Sequence, residues 1–265
     1  MSEARPAATV ILLRDGAEGI ETWLLRRVRQ MSFAADMSVF PGGRIDEADG
    51  SADVPWVGDE PAAVAARLGC SVPQARASLV AATRETFEET GVLVTSPVYP
   101  GDEAPLAAMR RDVEARRVQF GTFLADAGLS VDANLIRPWS RWITPEPEPR
   151  RFDTHFYVAA LPEAAVAQAD SSEATHAEWI RPADALSEFH GGDRPLLPPT
   201  VVSLQELSPF GCVADVLAAS EHRSLDAIRP TIEQTDDGHR RVVMPDGTVH
   251  PFPRRPDRPG AGEVR

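Results

Sequence analysis

The chain has 265 residues, of which 43% are hydrophobic and 25% are charged, proportions typical of a globular protein with a sizeable core. Its formal net charge of −13 argues against a nucleic-acid binder or an anionic-membrane binder, because such proteins carry a basic field. Two distant cysteines, Cys70 and Cys212, fit neither a disulfide framework nor a zinc site. The sequence contains neither a signal-peptide core nor an apolar run of membrane length, so we expect a cytoplasmic protein without nucleic-acid or membrane partners.

Short apolar runs, each ended by a turn or a glycine, occupy the beginning of the chain. They predict strands at residues 8–13, 21–27 and 37–40. Residues 44–72 are instead rich in Asp, Glu, Ala and Pro, and we interpret them as a surface insertion with a short helix at residues 60–68. The clearest helix spans residues 73–90, where apolar side chains recur at spacings of three and four and Gly91 occupies the C-cap position.

The remainder of the chain alternates helical and extended patterns. Helices are predicted at residues 182–189, 200–207 and 213–221, with one or two more within 103–127. Strands are predicted at residues 139–144, 154–161 and 177–180, and a hairpin at 240–244 and 248–250. Because these elements interleave without a regular βαβ rhythm, we predict one α+β domain over residues 1–250. Residues 195–250 would form its C-terminal extension of helices and a hairpin, and residues 251–265 a disordered tail.

Three glutamates stand on one face of the clearest predicted helix. Glu85, Glu88 and Glu89 have the spacing i, i+3, i+4, so their like charges repel by a few tenths of a kcal/mol for each exposed pair. From these residues alone the face is either simply solvated or a site where Mg²⁺ or Mn²⁺ offsets the repulsion and binds phosphates. Arg84 can hold a glutamate in place by a bidentate pair, and Gly43 can bring a backbone carbonyl to the same cation.

The residues around this face resemble a known motif. The string Arg-Glu-Thr-Phe-Glu-Glu-Thr-Gly-Val at residues 84–92 is similar to the second half of the Nudix box, Gly-x5-Glu-x7-Arg-Glu-U-x-Glu-Glu-x-Gly-U, where U is apolar and Thr86 is the one weak match. The resemblance to the Nudix hydrolases implies a mixed sheet sandwiched between helices (α/β/α), with extra helices, and hydrolysis of diphosphate bonds. It also implies that Glu85, Glu88 and Glu89 bind the metal, and that one of them or a distant glutamate activates the attacking water.

The first half of this box is interrupted. Counting forward from Gly43 puts its first acidic position at Asp49, whereas counting back from Arg84 puts it at Arg76. Arg84 follows Gly43 by 41 positions where the uninterrupted box allows 14, a difference of 27 residues. The insertion predicted at residues 44–72 therefore lies inside the box, and the first acidic residue stays open at this point.

Because it has a long insertion after Phe-Pro-Gly-Gly, the chain resembles the Nudix branch of the peroxisomal coenzyme A diphosphatases (RP2-like). Other segments that resemble this branch are residues 24–27, 142–145, 149–154 and 197–200. The resemblance implies a small nucleoside diphosphate derivative as substrate, coenzyme A or acyl-CoA, split into 3′,5′-ADP and phosphopantetheine or its acyl form. ADP-ribose, NADH and dinucleoside polyphosphates stay open as alternative substrates, as does an inactive binding or regulatory module. The sequence is compatible with a homo-oligomer.

Five further residues are candidates for this site. Arg150 and Arg151 are open to two interpretations: they bind a diphosphate or a 3′-phosphate of the substrate, or they only form ion pairs with acidic neighbours. Arg27 and the arginine before it alternate on a predicted strand, so at most one of them faces the site. Glu173 and Glu178 are either an additional ligand or base, or ordinary surface residues. The histidines lack metal-ligand spacing and are treated as non-ligands.

Overall fold

The structure is a computed structural model that describes residues 3–27, 37–146, 148–168, 174–235 and 240–251. Its strands are β1 (Arg5–Gly16), β2 (Gly19–Arg27), β3 (Ser38–Val39), β4 (Gly42–Arg44), β5 (Trp56–Val57), β6 (Thr95–Ser96), β7 (Ser130–Asp132), β8 (Arg137–Ile143), β9 (Phe152–Ala160), β10 (Ala174–Ile180), β11 (Ala227–Ile228), β12 (Thr231–Gln234), β13 (Arg240–Val243) and β14 (Val249–Pro251). Its helices are α1 (Pro61–Leu68), α2 (Val72–Thr90), α3 (Glu103–Glu114), α4 (Phe120–Asp126), α5 (Pro182–Gly191), α6 (Pro198–Leu207) and α7 (Val213–Ser220), with a 3₁₀ helix at Glu47–Gly50.

The centre of the fold is a mixed sheet with the strand order β10-β2-β1-β9-β8-β11, in which β3 adds to β2 and β4 adds to β1. Strand β1 runs parallel to β9 and antiparallel to β2 and β4. Two smaller sheets, β5-β7-β6 and β12-β13-β14, lie apart from it, and the second contains the predicted hairpin. The mixed sheet implied by the Nudix resemblance is confirmed.

Helices cover both faces of this sheet. Because side chains alternate along a strand, Val10 and Leu12 of β1 face one way and Ile11 and Leu13 the other. The first face packs against α2 and the residues of α1, α3 and α4, in one hydrophobic cluster. The second face packs against α5, α6 and α7 in a separate cluster. The α/β/α prediction is confirmed, and helices of the predicted C-terminal extension, residues 195–250, form much of the second layer.

The inserted segment, residues 44–72, was expected on the surface, and more than half of its residues are exposed, but a few of its side chains are part of the core. Val54, Val64 and Leu68 belong to the buried cluster under α2 and are at most 7% exposed. Arg76 of α2 donates hydrogen bonds to backbone carbonyls in the segment, including those of Ser51 and Val54. The sequence did not reveal these buried positions because the acidic, proline-rich average composition conceals a few apolar residues, two of them one helical turn apart.

Helix α2 has well-defined ends. Ser71 and Gln74 form a capping box at its beginning, and Gly91 at its end has φ 75°, a left-handed conformation that glycine adopts without a steric penalty. Thr86, the weak match to the Nudix box, is fully buried, and its hydroxyl donates to the carbonyl of Ala82 at 2.8 Å. A threonine therefore fits an apolar position because the helix backbone satisfies its hydroxyl.

Three remaining expectations concern the chain outside its core. Cys70 and Cys212 are both free thiols. Among the residues described, no helix combines the length and the apolar character needed to cross a membrane. The predicted tail, residues 251–265, lies outside the described residues from residue 252 onward.

Candidate active site

Two segments far apart in sequence meet at the glutamate cluster, which we define as Glu85, Glu88 and Glu89. The backbone N–H of Gly42 donates to Oε2 of Glu89 at 2.8 Å. A Cβ atom on Gly43 would lie 2.5 Å from the carboxylate of Glu85. The Glu85 carboxylate can therefore occupy this place only because position 43 has no side chain.

Replacing Gly43 by alanine is expected to displace the Glu85 carboxylate and to reduce turnover by about 100-fold, because misplacement by about 1 Å has an effect of this size. The measurement is kcat/KM together with the thermal unfolding temperature.

Gly50→Ala is the matched control for this change. At Gly50 a Cβ would meet only Ala77, at an ordinary 3.9 Å. Equal activity of the two alanine variants would contradict the close approach at Gly43.

Arg84 lies at the centre of this arrangement and is only 4% exposed. Its Nε and Nη2 atoms donate to the two carboxylate oxygens of Asp49, both at 2.9 Å. Its Nη1 atom donates to Glu85 at 2.8 Å and to Glu88 at 3.2 Å. One buried cation therefore holds three carboxylates, and its planar, rigid donor fork makes this possible where a lysine ammonium would not.

Asp49, the residue that the forward count puts at the first acidic position of the interrupted box, is the one that contacts Arg84. The 3₁₀ helix at Glu47–Gly50 buries its side chain, and the N–H of Asp46 donates to Oδ2 of Asp49 at 2.8 Å. Counting forward from Gly43 therefore gives the residue that contacts Arg84, whereas the other candidate, Arg76, binds carbonyls of the inserted segment.

Burial and charge shift the ionisation of these groups. Burial raises the pKa of Glu85 to about 7, although the guanidinium of Arg84 opposes the shift. Burial also raises the pKa of Glu88, again against the effect of Arg84. Burial disfavours the charged form of Arg84, but the hydrogen-bonded Asp49 and the two glutamates outweigh it and raise the pKa of Arg84 above its ordinary value. The site therefore has a permanent cation and carboxylates that bind protons more readily than free ones.

Comparison with known proteins assigns the chain to a family. The family model described as the NUDT19 Nudix domain matches residues 60–207, more than half of the chain. The chain is a Nudix hydrolase of the NUDT19 family.

Relatives and a solved structure agree with this assignment. The Nudix hydrolase is 26% identical to a Xenopus laevis protein named acyl-coenzyme A diphosphatase NUDT19, with 93% of this chain and 75% of the relative covered. It is 29% identical to the human protein of the same name, over 84% of this chain and 70% of the relative. Its fold is similar to the crystal structure of a Nudix hydrolase from Alicyclobacillus acidocaldarius, with a TM-score of 0.64, 26% identity, and coverage of 82% and 97% of the two chains.

The donor set of this Nudix hydrolase suits a divalent cation. Carboxylate oxygens are the ligands that Mg²⁺ and Mn²⁺ prefer, and the space above Gly43 that a Cβ would fill is bordered by the Glu85 carboxylate. In the part of the chain described, no three acidic, histidine or cysteine side chains already converge as a complete ligand set. Glu85 and Glu88 face Arg84, and Glu89 faces Gly42. The chemistry of these oxygen donors fits a hard divalent cation.

The structure does not bring Glu178 to the glutamate cluster. Its carboxylate pairs with Arg194 at 2.6 Å. By strand alternation it lies on the same face of β10 as Ile180, which packs in the cluster of the second helical layer, opposite α2. Glu173, the other candidate ligand or base, lies outside the described residues.

The candidate arginines lie at the end of the sheet where β1 begins. Arg151 precedes β9, its carbonyl accepts from the N–H of Arg5, and its Nε donates to the carbonyl of Thr144 at 3.0 Å. Strand β4, with Gly43, pairs with the same end of β1. Arg150 is in the same turn, and Arg27 ends β2. Two acidic residues near Arg150 and Arg151 form ion pairs of their own, Asp153 with Arg141 and Glu148 with Arg240.

Two residues near the cluster were missed by sequence reasoning. Arg116, just after α3, forms an ion pair with Asp46 and acts electrostatically on Glu88. Arg110 of α3 is buried, and its Nε donates to the backbone carbonyl of Glu88 at 2.9 Å. Neither residue belongs to a motif, so only their position in the fold reveals them.

His155 is a buried histidine on β9, on the α2 side of the sheet. Among the described residues no group forms a hydrogen bond with its Nε2 atom. Burial and the nearby guanidinium of Arg141 lower the pKa of His155 to about 4, although Asp153 opposes the shift. Its imidazole is therefore neutral in the folded protein near pH 7.

Acid is expected to destabilise the protein through His155. Above pH 6.5 the imidazole is neutral in both states, and as pH falls towards 4 only the unfolded chain takes up the proton. This lowers the free energy of unfolding by about 2–4 kcal/mol. His155→Phe should lessen the loss between pH 7 and 4.5, measured by urea unfolding, whereas the exposed His222→Phe should not. Identical pH dependence of the wild type and His155→Phe would refute this.

Proposed function

We propose that this Nudix hydrolase splits the diphosphate of coenzyme A or acyl-CoA, releasing 3′,5′-ADP and phosphopantetheine or its acyl form. Mg²⁺ or Mn²⁺ would be held by Glu85, Glu88 and Glu89, with the backbone carbonyl of Gly43 as a further ligand. The observation that carries the proposal is the glutamate cluster, held by Arg84 and Asp49 next to Gly42 and Gly43 of β4. The substrate is proposed from the relatives named acyl-coenzyme A diphosphatase.

The residues at and around the glutamate cluster have different proposed roles. A divalent cation bound there would lower the pKa of a water molecule and offset charge on the leaving phosphate. Arg84 fixes Glu85 and Glu88 and is itself fixed by Asp49, so the carboxylates need little reorganisation when substrate binds. The N–H of Gly42 holds Glu89 in place. We favour one of these three glutamates as the base, since Glu178 is held by Arg194 on the opposite face.

Arg150, Arg151 and Arg27 are proposed to bind the anionic groups of the substrate. All three arginines lie at the same end of the sheet as Gly43, which supports this proposal. If Arg150 binds the 3′-phosphate, Arg150→Ala should raise KM for coenzyme A about 10-fold and leave KM for 3′-dephospho-coenzyme A unchanged. An equal effect on both substrates would assign Arg150 to the diphosphate or to the fold.

The test of the proposed function is a substrate panel with product identification. Coenzyme A, an acyl-CoA, ADP-ribose, NADH and a dinucleoside polyphosphate are compared by kcat/KM at saturating Mg²⁺ and with a chelator. The expected result is the highest kcat/KM for coenzyme A or acyl-CoA, with 3′,5′-ADP as a product and loss of turnover in chelator. A higher kcat/KM for ADP-ribose, NADH or the dinucleoside polyphosphate would overturn the substrate assignment.

A further inference from the structure

A cavity of about 410 Å³ opens directly beside the glutamate cluster, and we call it the side cavity. Arg84 and Glu88 form the wall that it shares with the cluster. The other walls come from the inserted segment, through residues 46–54, and from residues 113–125 of α3, α4 and their connection. Its volume falls in the range of small-molecule sites, about 300–1,000 Å³. If the diphosphate binds at the glutamate cluster, the substrate group attached directly to it can occupy this cavity.

The lining of the side cavity combines apolar side chains with charged ones, and its buried charges, Arg84 and Asp49, are paired with each other. Val80, Val113 and Phe120 are all less than 5% exposed and supply apolar wall. Ser51 and Thr122 add neutral hydrogen-bonding groups. This combination suits a branched aliphatic group followed by hydroxyl and amide groups.

The rim nearest the cluster carries an ion pair. Arg116 has φ 56°, in the left-handed region that usually belongs to glycine, and pairs there with Asp46 from the inserted segment. Both residues line the side cavity. The ion pair therefore connects the two walls. It also keeps the positive charge of Arg116 near Glu88, where an anionic phosphate would enter.

We propose that the side cavity binds the first part of the pantetheine arm, the carbon with two methyl groups and the hydroxyl and amide that follow it. This inference rests on the proposed function and deepens it, because it assigns the phosphopantetheine half of the substrate to a compartment built partly by the inserted segment. The adenosine half then lies outside the cavity. The insertion inside the Nudix box is thus a specificity element for a branched amide.

The test fills the cavity from its exposed rim. Ala125 of α4 is exposed and lines the cavity, whereas the adjacent Asp126 is exposed and does not. Binding of 4′-phosphopantetheine with Mg²⁺ is measured by calorimetry for wild type, Ala125→Trp and Asp126→Trp. Ala125→Trp should weaken binding about 10-fold, the effect expected when two methyl groups lose their burial. Asp126→Trp should bind as wild type does, and unfolding temperatures confirm that both variants fold.

A second pair of variants tests the opposite wall. Ala48 lines the cavity and its neighbour Glu47 does not, and both are exposed. Ala48→Trp should weaken 4′-phosphopantetheine binding and leave 3′,5′-ADP binding unchanged, whereas Glu47→Trp should change neither. Wild-type affinity in both cavity variants, a loss of 3′,5′-ADP binding instead, or no binding of 4′-phosphopantetheine by wild type would overturn the assignment. Wild type that binds 4′-phosphopantetheine but does not hydrolyse coenzyme A would leave the cavity assigned and refute the proposed function alone.

Discussion

Replacing Glu89 by glutamine is expected to reduce kcat by about 100-fold or more, while the protein keeps its fold. Glutamine has nearly the same shape, and its side-chain carbonyl can still accept the hydrogen bond from the N–H of Gly42. The change removes one negative charge from the proposed cation site. The measurement is kcat and KM for coenzyme A across a Mg²⁺ titration, with circular dichroism and unfolding temperature as checks on the fold.

The control for this change is Glu60→Gln, which removes an exposed glutamate from a position that makes no side-chain cap at the beginning of α1. It should leave kcat unchanged. If Glu89→Gln has wild-type kcat at saturating Mg²⁺, the mechanism proposed for the glutamate cluster is wrong.

Arg84→Leu is expected to be the most destabilising single substitution at this site, with a loss of about 3–5 kcal/mol in the free energy of unfolding. Arg84 is buried against Asp49, Glu85 and Glu88, and its removal leaves these carboxylates without their cation in a desolvated place. Turnover should also be lost. Urea unfolding measures the stability, with the m-value as a check that both proteins unfold in one step.

Arg117→Leu is the matched control, because Arg117 forms an exposed ion pair with Asp112, and such pairs contribute about 0–1 kcal/mol. The double variant Arg84→Leu with Asp49→Leu distinguishes a network from a simple pair. It should stay strongly destabilised, because Glu85 and Glu88 still lack a cation. Recovery of wild-type stability in the double variant would show that Asp49 is the only important partner of Arg84.

Local patterns were sufficient to predict the helix that carries the site. The spacing of apolar residues and the C-cap glycine gave residues 73–90, and the structure has α2 at Val72–Thr90. The three glutamates could be placed on one face because the helical period alone decides that placement. The pairing of Arg84 with a carboxylate was also expected, since an arginine among acidic residues needs a partner.

What sequence reasoning missed depends on contacts between distant residues. The choice between Asp49 and Arg76 could not be made by counting, because both counts are equally consistent with an insertion of unknown position. Arg110 and Arg116 act on Glu88 from α3 and from just after it, more than 20 positions away, through packing that no local pattern encodes. The buried positions of the inserted segment were missed for the same reason, since its average composition outweighed its few buried apolar residues.

The contact between Asp49 and Arg84 also bears on how this enzyme can change in evolution. The two residues are 35 positions apart, yet they lie side by side, so the geometry of the box does not depend on the length of chain between them. Doubling the length of such a loop costs only about 0.6 kcal/mol in closure entropy. Exposed residues after Asp49 and before α2 can therefore be inserted, deleted or replaced while the hydrolytic centre stays the same, as long as Val54, Val64 and Leu68 keep their places in the core. A lineage can in this way acquire new substrates by rebuilding one segment without altering its chemistry.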